Sequence, residues 1–220
     1  MAIERRSGLL LHITSLAGPY GCGTLGPEAG EFAGFLSASG QSFWQVLPLG
    51  PVCSHWNFSP YSSPSAFAGN ELLIDPRPLQ ARGWLAAGEM QEDAAVPAGD
   101  FCDLGAAAAG NAAWLEAAAR SFFASGDRPD SAAFDRFCSA EKHWLDDYAL
   151  FRALADRFGT FLWTDWPEDI SRRRPAAISR WRDDLRGAVR RRQFEQFAFF
   201  QQWQALKVSA NRQGVSPIGA

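Results

Sequence analysis

The spacing of apolar residues in the first fifty positions predicts a strand, a helix and a second strand. The run from Gly8 to Ile13 is almost continuously apolar and lies between turn residues, which is typical of a strand buried on both faces. Pro27 suits the first position of a helix, and Gly40 is placed to end it. A second buried strand is predicted from Ser42 to Gly50. Such a β-α-β unit predicts two parallel strands joined by a right-handed crossover.

The rest of the pattern is mainly helical. We predict a short extended piece at residues 70–76 and an irregular connection from Met90 to Gly110, where Ala, Asp, Gly and Pro occur without a clear period. Apolar residues three and four positions apart predict helices between Ala112 and Gln213. The closing residues "VSPIGA" begin like a third buried strand. Strands that alternate with helices indicate the α/β class.

The charge of the chain excludes some partners. The 220 residues carry a formal net charge of −3, which gives no general field to attract nucleic acid or an anionic membrane. Arginines cluster at residues 172–174 and 190–192, with Asp183 and Asp184 between the clusters. This arrangement is typical of a solvated, ion-paired helical face. We therefore expect neither a nucleic-acid partner nor a membrane partner.

The four cysteines form no C-x-x-C pair, which argues against a zinc site or a redox motif. We expect free thiols, no bound metal and a reducing compartment. The apolar run near the N-terminus is interrupted by His12, Thr14 and Ser15 before it reaches the length of a signal peptide. No run approaches the roughly 18 apolar residues of a membrane span. A cytoplasmic protein is the simplest expectation.

The segment "GCGTLG", from Gly21 to Gly26, matches the G-x-G-x-x-G fingerprint of dinucleotide-binding proteins. It precedes a helix inside the β-α-β unit, as that fingerprint requires. However, its first glycine follows Ile13 by eight residues, and Pro48 to Gly50 stand where an acid should hold the ribose. We favour a loop that needs a flexible backbone, and a dinucleotide-binding domain is an alternative.

The segment from Ser59 to Asn70 lies in the connection after the second strand. Loops at the carboxyl ends of parallel strands bind ligands in α/β folds. Tyr61 offers a flat apolar face with a polar tip, which suits a sugar ring, and Ser59 adds a donor and acceptor. Trp56 could add a second flat face. The same pattern also fits a loop that Tyr61 and Phe67 anchor to the core.

Five segments, in order along the chain, carry a family resemblance. They are "SGLLLHITSLAGPYGCGTLGPEAGEFAGFLSASGQSFWQVLPLGP", "SPYSSPSAFAGNELLIDP", "HWLDDYALF", "WTDWP" and "FFQQWQALK". Together they resemble the amino-terminal part of amylomaltases, the 4-α-glucanotransferases of glycoside hydrolase family 77. The resemblance is weakest between Met90 and Gly110.

The resemblance implies an α/β fold, namely the N-terminal part of a (β/α)8 TIM barrel with an inserted helical subdomain. We expect residues 1–85 to form the first β/α units with the sugar-contact loop. Residues 86–192 are expected to form the inserted, mainly helical subdomain. Residues 193–220 are expected to form a barrel helix and the start of the third strand.

The resemblance also implies an activity. Such enzymes transfer segments of α-1,4-glucans between maltooligosaccharides by a retaining mechanism and use no organic cofactor. Family members continue well beyond this point, and their catalytic carboxylates lie in later strands. We therefore expect an amino-terminal fragment that has no catalytic residue of its own and is inactive alone. A non-catalytic glucan-binding protein derived from the family is an alternative.

Four residues are the candidate substrate-binding set. The family tyrosine that matches Tyr61 contacts sugar beside the scissile bond, and the serine that matches Ser59 lies close by. Asp75 also matches a family position, where either a structural hydrogen-bonding role or a substrate contact fits. Trp56 is included for its chemistry and not by the resemblance.

Overall fold

The computed structural model describes residues 5–89, 102–124 and 129–219. These residues form two compact units. The described residues up to Phe122 and from Ala198 onward form the first unit, and Phe123–Phe197 contribute the second unit. The predicted boundaries at residues 85 and 192 stay predictions.

The first unit contains a parallel sheet of three strands in the order β1-β2-β3. The strands are β1 (Gly8–Leu10), β2 (Phe43–Gln45) and β3 (Ser216–Ile218). Both neighbouring pairs are parallel, and Trp44 is the register partner of Leu9 on one side and of Pro217 on the other. The predicted parallel pair and the predicted third strand are therefore confirmed.

Helix α1 (Pro27–Ala38) connects β1 to β2 and begins and ends where the sequence predicts. Gly40 has a φ of 71°, the left-handed conformation that favours glycine after a helix. The indole of Trp44 is fully buried, lies edge-on to Phe32 at 5.0 Å between ring centroids, and donates to the carbonyl of Leu11 at 2.8 Å. One face of the sheet thus packs against α1.

The prediction that the first strand is buried on both faces is wrong for β1, and the predicted burial of the second strand holds only in part. All three residues of β1 are exposed, and Leu10 is 59% exposed. In β2, Gln45 is exposed whereas Trp44 is buried. The reason is that β1 lies at one end of the strand order, and the described contacts of α1 cover one face.

The other elements are mostly helices. They are α2 (Pro76–Ala81), α3 (Leu104–Ala124), α4 (Pro129–Ala140), α5 (Lys142–Phe158), α6 (Glu168–Ser171), α7 (Pro175–Asp184) and α8 (Arg186–Arg212). Single 3-10 turns lie at Ile13–Ser15, Ser54–Trp56, Glu71–Leu73, Ala87–Glu89 and Trp163–Asp165.

Two local predictions need correction. Residues 71–73 form a 3-10 turn and not an extended piece, because the Asn70 side chain accepts a hydrogen bond from the Leu72 amide and caps the turn. Helix α3 begins at Leu104, inside the segment predicted to be irregular, because Asp103 accepts from the Ala106 amide and caps the helix. Residues 90–101 lie outside the described residues.

Helices dominate the second unit, and apolar residues between Ala149 and Val189 form a cluster around Ala149, Leu154 and Trp166. Among the described residues, five of the six clustered arginines pair with acids, whereas Arg190 lies over the rings of Phe123 and Phe134. Arg173 contacts Asp147 at 2.7 Å, and Arg192 contacts Asp156 at 2.6 Å. The predicted ion pairing is confirmed, but the prediction of a solvated face is wrong for Arg191 and Arg192, whose side chains are mostly buried. In the described part of the chain, no group of three or more side chains could hold a metal ion, and none of the helices is both long and apolar enough to cross a membrane.

Candidate functional site

A cavity of about 630 Å³ lies in the first unit at the carboxyl ends of β2 and β3. The loops after the two strands form two walls, and one face of α8 forms the third. Its lining residues are Pro48, Leu49, Gly50, Pro60, Tyr61, Ser63, Ser65, Ala66, Phe67, Ala68, Gly69, Phe199, Phe200, Trp203, Lys207, Pro217, Ile218 and Gly219. We call it the Tyr61 cavity.

Serine hydroxyls shape the loop that carries Tyr61. The Oγ of Ser59 accepts a hydrogen bond from the Tyr61 amide at 3.3 Å, and the Oγ of Ser65 accepts from the Phe67 amide at 3.2 Å. The hydroxyl of Ser63 donates to the Ser65 carbonyl at 2.9 Å. Such side-chain bonds replace the regular bonds of helix or sheet. The serines therefore fix the backbone that presents the aromatic rings.

Tyr61 is 73% exposed and Phe67 is 62% exposed. These values do not fit a loop that the two rings anchor to the core. An exposed phenol ring on the wall of a cavity offers an apolar face for stacking and a hydroxyl for hydrogen bonding. The geometry therefore favours the ligand-contact interpretation of Tyr61.

Neither Ser59 nor Trp56 is among the residues that line the cavity. Ser59 is half-buried and acts on Tyr61 through the backbone bond described above. Trp56 is half-buried in its 3-10 turn, edge-on to His55 at 5.3 Å between ring centroids. Asn57 and Phe58, between the two candidates, have φ values of 50° and 52°. Non-glycine residues in this left-handed region store strain, which is common next to functional sites.

Asp75 is fully buried and lies outside the lining of the cavity. Its carboxylate accepts from the Thr24 hydroxyl at 2.6 Å and from both the amide and the Nε of Arg77 at 2.9 Å. Its main-chain amide and carbonyl pair with the side-chain amide of Gln202 at 2.7 and 2.8 Å. This geometry supports the structural role, because the polar atoms of Asp75 are already bonded within the protein.

Arg77 extends this network to the surface. Its guanidinium also donates to Glu28 at 2.6 and 2.8 Å, and these hydrogen bonds hold the pKa of the Glu28 carboxyl below its ordinary value. Glu28 lies in the first turn of α1, where a negative charge is favourable. The cluster thus joins the start of α1 to the start of α2.

The glycines of "GCGTLG" are needed for packing. A Cβ on Gly26 would overlap the carboxylate of Asp75, and a Cβ on Gly23 would overlap the carbonyl oxygen of Ile13. The protein's own groups therefore lie directly against two of the three glycines of the fingerprint. This geometry favours the packing interpretation over the dinucleotide-binding alternative.

Sequence reasoning gave no site role to the face of α8 that lines the cavity. Phe200, Trp203 and Lys207 recur at three- and four-residue intervals, so one stripe of the helix carries two aromatic rings and a cation. This spacing was the available signal in "FFQQWQALK". It did not identify the site, because an aromatic stripe at helical spacing is equally typical of a buried core.

Gly69 offers a test of how closely the loop that carries Tyr61 packs against α8. A Cβ at Gly69 would overlap the ring of Phe199, which is 2% exposed, so we expect Gly69→Ala to lower the free energy of unfolding by about 1–3 kcal/mol. Gly30→Ala is the matched control, because Gly30 lies within α1 and, apart from the helix's own backbone, no described atom lies within 4 Å of its added Cβ. It should raise stability by about 0.5–1 kcal/mol. Urea denaturation measures both, and equal effects would contradict the packing argument.

A parallel α/β unit with an aromatic cavity at the carboxyl ends of its strands belongs to the class of proteins that bind ligands at this edge, as barrels and doubly wound sheets do. A family model described as 4-alpha-glucanotransferase matches residues 11–219. The chain therefore belongs to the 4-alpha-glucanotransferase family, which confirms the resemblance seen in the sequence.

Individual relatives agree with this assignment. The 4-alpha-glucanotransferase of Thermus thermophilus is 43% identical over 219 residues, a match that covers 100% of this chain and 42% of that protein. The 4-alpha-glucanotransferase of Clostridium butyricum is 37% identical over 209 residues, covering 95% of this chain and 42% of that protein. The chain thus spans 42% of the length of these two relatives.

A solved structure shows the same fold. The amylomaltase from Streptococcus agalactiae in complex with acarbose matches with a TM-score of 0.87 and 34% identity. The match covers 98% of this chain and 43% of that structure's chain. The α/β class predicted from the sequence is therefore confirmed.

Proposed function

We propose that this chain supplies part of the sugar-binding surface of a 4-α-glucanotransferase that moves α-1,4-glucan segments between maltooligosaccharides with retention of configuration. The observation that carries the proposal is the exposed ring of Tyr61 on the wall of a cavity at the carboxyl edge of a parallel sheet. Family membership supplies the class of ligand.

The finer architecture belongs to the same proposal. Three parallel strands in sequential order, with α1 between the first two, are what the start of a (β/α)8 barrel requires. The helices of the second unit support an inserted helical subdomain within residues 86–192. Residues 1–85 and 193–220 would then contribute barrel units.

The residues of the cavity suit an α-glucan in distinct ways. Tyr61 offers its ring to the C–H face of a pyranose and its hydroxyl to a sugar oxygen. Phe67 and Trp203 provide further apolar surface, and the ammonium of Lys207 can donate to sugar hydroxyls. Ser59 holds the backbone of Tyr61 and so orients the ring. These residues bind and position the sugar.

The bond-breaking step needs groups of another kind. A retaining mechanism uses a carboxylate nucleophile and a carboxylic acid about 5 Å apart. Among the described residues that line the cavity, none is an acid. The adjacent acids Asp183 and Asp184 are typical of a solvated surface, since Asp183 is 66% exposed and pairs with Arg186 at 2.9 Å. We therefore propose that the two carboxylates come from chain that these 220 residues do not include.

A test follows for the isolated chain. We expect the purified 220 residues to form no glucose or maltopentaose from maltotriose, because the described cavity has no nucleophile. Chromatography of the products measures the result, with the Thermus thermophilus relative as the positive control. Transfer activity that coelutes with the chain during purification, and that is lost in a Tyr61→Ala variant, would contradict the proposal.

The described lining of the Tyr61 cavity contains no acid, and this observation also fits the alternative, a non-catalytic glucan-binding protein. A hybrid protein, in which this chain is joined to the remaining segment of a relative, distinguishes the enzyme from the non-catalytic binding protein. Restored transfer by the hybrid would support the enzyme, whereas glucan binding with no transfer would support the alternative.

A further inference from the structure

A second cavity, of about 310 Å³, lies wholly within the second unit. It is formed by α5, the 3-10 turn at Trp163–Asp165, α6 and α7. Its lining residues are Asp147, Leu150, Phe151, Leu154, Trp163, Trp166, Ile170, Ser171, Arg173 and Ile178. We call it the Trp163 cavity. It shares no residue with the Tyr61 cavity.

The two tryptophans of the Trp163 cavity have different environments. Trp166 is 7% exposed, its ring lies between Phe151 and Phe158 at 5.4 and 5.8 Å, and its indole N–H donates to the Thr160 carbonyl at 3.1 Å. It anchors the turn to the core. Trp163, three residues earlier, is 54% exposed, and no described residue accepts a hydrogen bond from its indole N–H. The turn therefore holds one indole in place and presents the other to solvent.

The polar rim of the cavity is an ion pair between Arg173 and Asp147, whose atoms Nη2 and Oδ2 lie 2.7 Å apart. Arg173 has a φ of 51°, which is strained for a residue with a side chain. The side chains are 63% and 55% exposed, so the pair contributes little to stability. It leaves guanidinium donors and carboxylate lone pairs directed to solvent beside the exposed indole.

We propose that the Trp163 cavity is a second glucan-binding site, which takes a pyranose unit of an α-1,4-glucan on the indole of Trp163 and binds its hydroxyls through Asp147 and Arg173. The class of ligand rests on the proposed function. The volume lies at the lower end of the range of about 300–1,000 Å³ for small-ligand sites.

The chemistry of the rim selects a neutral, hydroxyl-rich ligand. A phosphate or another anion would meet the carboxylate of Asp147 beside the guanidinium of Arg173. A purely apolar ligand would remove the water around both charges without replacing its hydrogen bonds. A sugar ring has an apolar C–H face for the indole and hydroxyls that both donate and accept.

The first experiment follows the indole N–H resonances of the full 220-residue chain, labelled with ¹⁵N at tryptophan, during titration with maltoheptaose. The Trp163 and Trp203 signals are assigned by their loss in Trp163→Phe and Trp203→Phe. We expect both signals to shift saturably. In Tyr61→Ala the Trp163 shift should persist and the Trp203 shift should weaken. Cellohexaose, a β-1,4-glucan, should move neither signal.

The outcomes separate the two proposals. A shift of Trp203 alone would overturn the second site and leave the proposed function intact. A shift of Trp163 alone would support the second site and contradict the proposed role of the Tyr61 cavity. No shift of either signal, or an equal response to cellohexaose, would overturn the second site as a site for α-glucans.

A second experiment measures retardation in native gels that contain glycogen. Trp163→Ala should weaken the apparent affinity by roughly three- to tenfold, the range expected for loss of an aromatic contact. Leu162→Ala is the matched control, because Leu162 is the exposed apolar neighbour, at 46%, and does not line the cavity. Equal retardation of the two variants would overturn the proposal.

Discussion

Tyr61→Ala should weaken the binding of maltooligosaccharides by roughly tenfold or more while the melting temperature stays unchanged. The ring is 73% exposed, so its removal takes little from the core of the first unit. It does remove the stacking face and the hydroxyl from the wall of the cavity, and each 1.4 kcal/mol lost is about tenfold in affinity. Isothermal titration with maltoheptaose measures the affinity.

Two further variants identify the cause of the loss. Tyr61→Phe keeps the ring and should retain most of the affinity, because only the hydroxyl is removed. Phe35→Ala is the matched control, since Phe35 is 56% exposed in α1 and lies outside the cavity. Unchanged affinity in Tyr61→Ala, or an equal loss in Phe35→Ala, would contradict the role of Tyr61. A lowered melting temperature would instead indicate a structural role.

The largest loss of stability is expected for Asp75→Ala, at about 3–5 kcal/mol. The substitution removes a fully buried carboxylate and leaves the Thr24 hydroxyl and the Nε of Arg77 without their acceptor. It also removes the cap of α2, because Asp75 accepts from the Arg77 amide. Urea denaturation followed by fluorescence gives the free energy of unfolding.

Glu28→Gln is the comparison for this network. Glu28 bonds to the same guanidinium, but its side chain is 28% exposed, so the loss should stay below about 1 kcal/mol. A mild loss of stability in Asp75→Ala together with a large loss of glucan affinity would contradict the structural role. It would support a direct sugar contact, the other role predicted for this residue.

Much of the first unit could be predicted from local signals. Pro27 and Gly40 mark the ends of α1, and the short apolar runs on either side mark parallel strands. The exposure of Leu10 could not be predicted, because an apolar run carries no information on which elements cover it. The start of α3 was missed because one capping residue, Asp103, outweighs the glycines around it.

The candidate site could be predicted in part. The position of Tyr61 after a parallel strand, with its chemistry and the resemblance, was sufficient to select the loop. Trp203 was missed as a wall of the cavity, because it lies far along the chain and reaches the loop through the tertiary fold. The environment of Asp75 depends on Gln202 in the same way, so the sequence left its two roles open.

The pairing of Asp75 with Gln202 has a consequence during synthesis. The two residues are separated by 127 positions along the chain. The main-chain groups of Asp75 can therefore form these hydrogen bonds only after helix α8 has been synthesised. At about 5–20 residues per second, this delay is roughly 6–25 s. Strands β1 and β2 can pair much earlier, since α1 alone separates them. During that interval the main-chain amide and carbonyl of Asp75 stay open to water, and the first unit completes its core only as its last helix arrives.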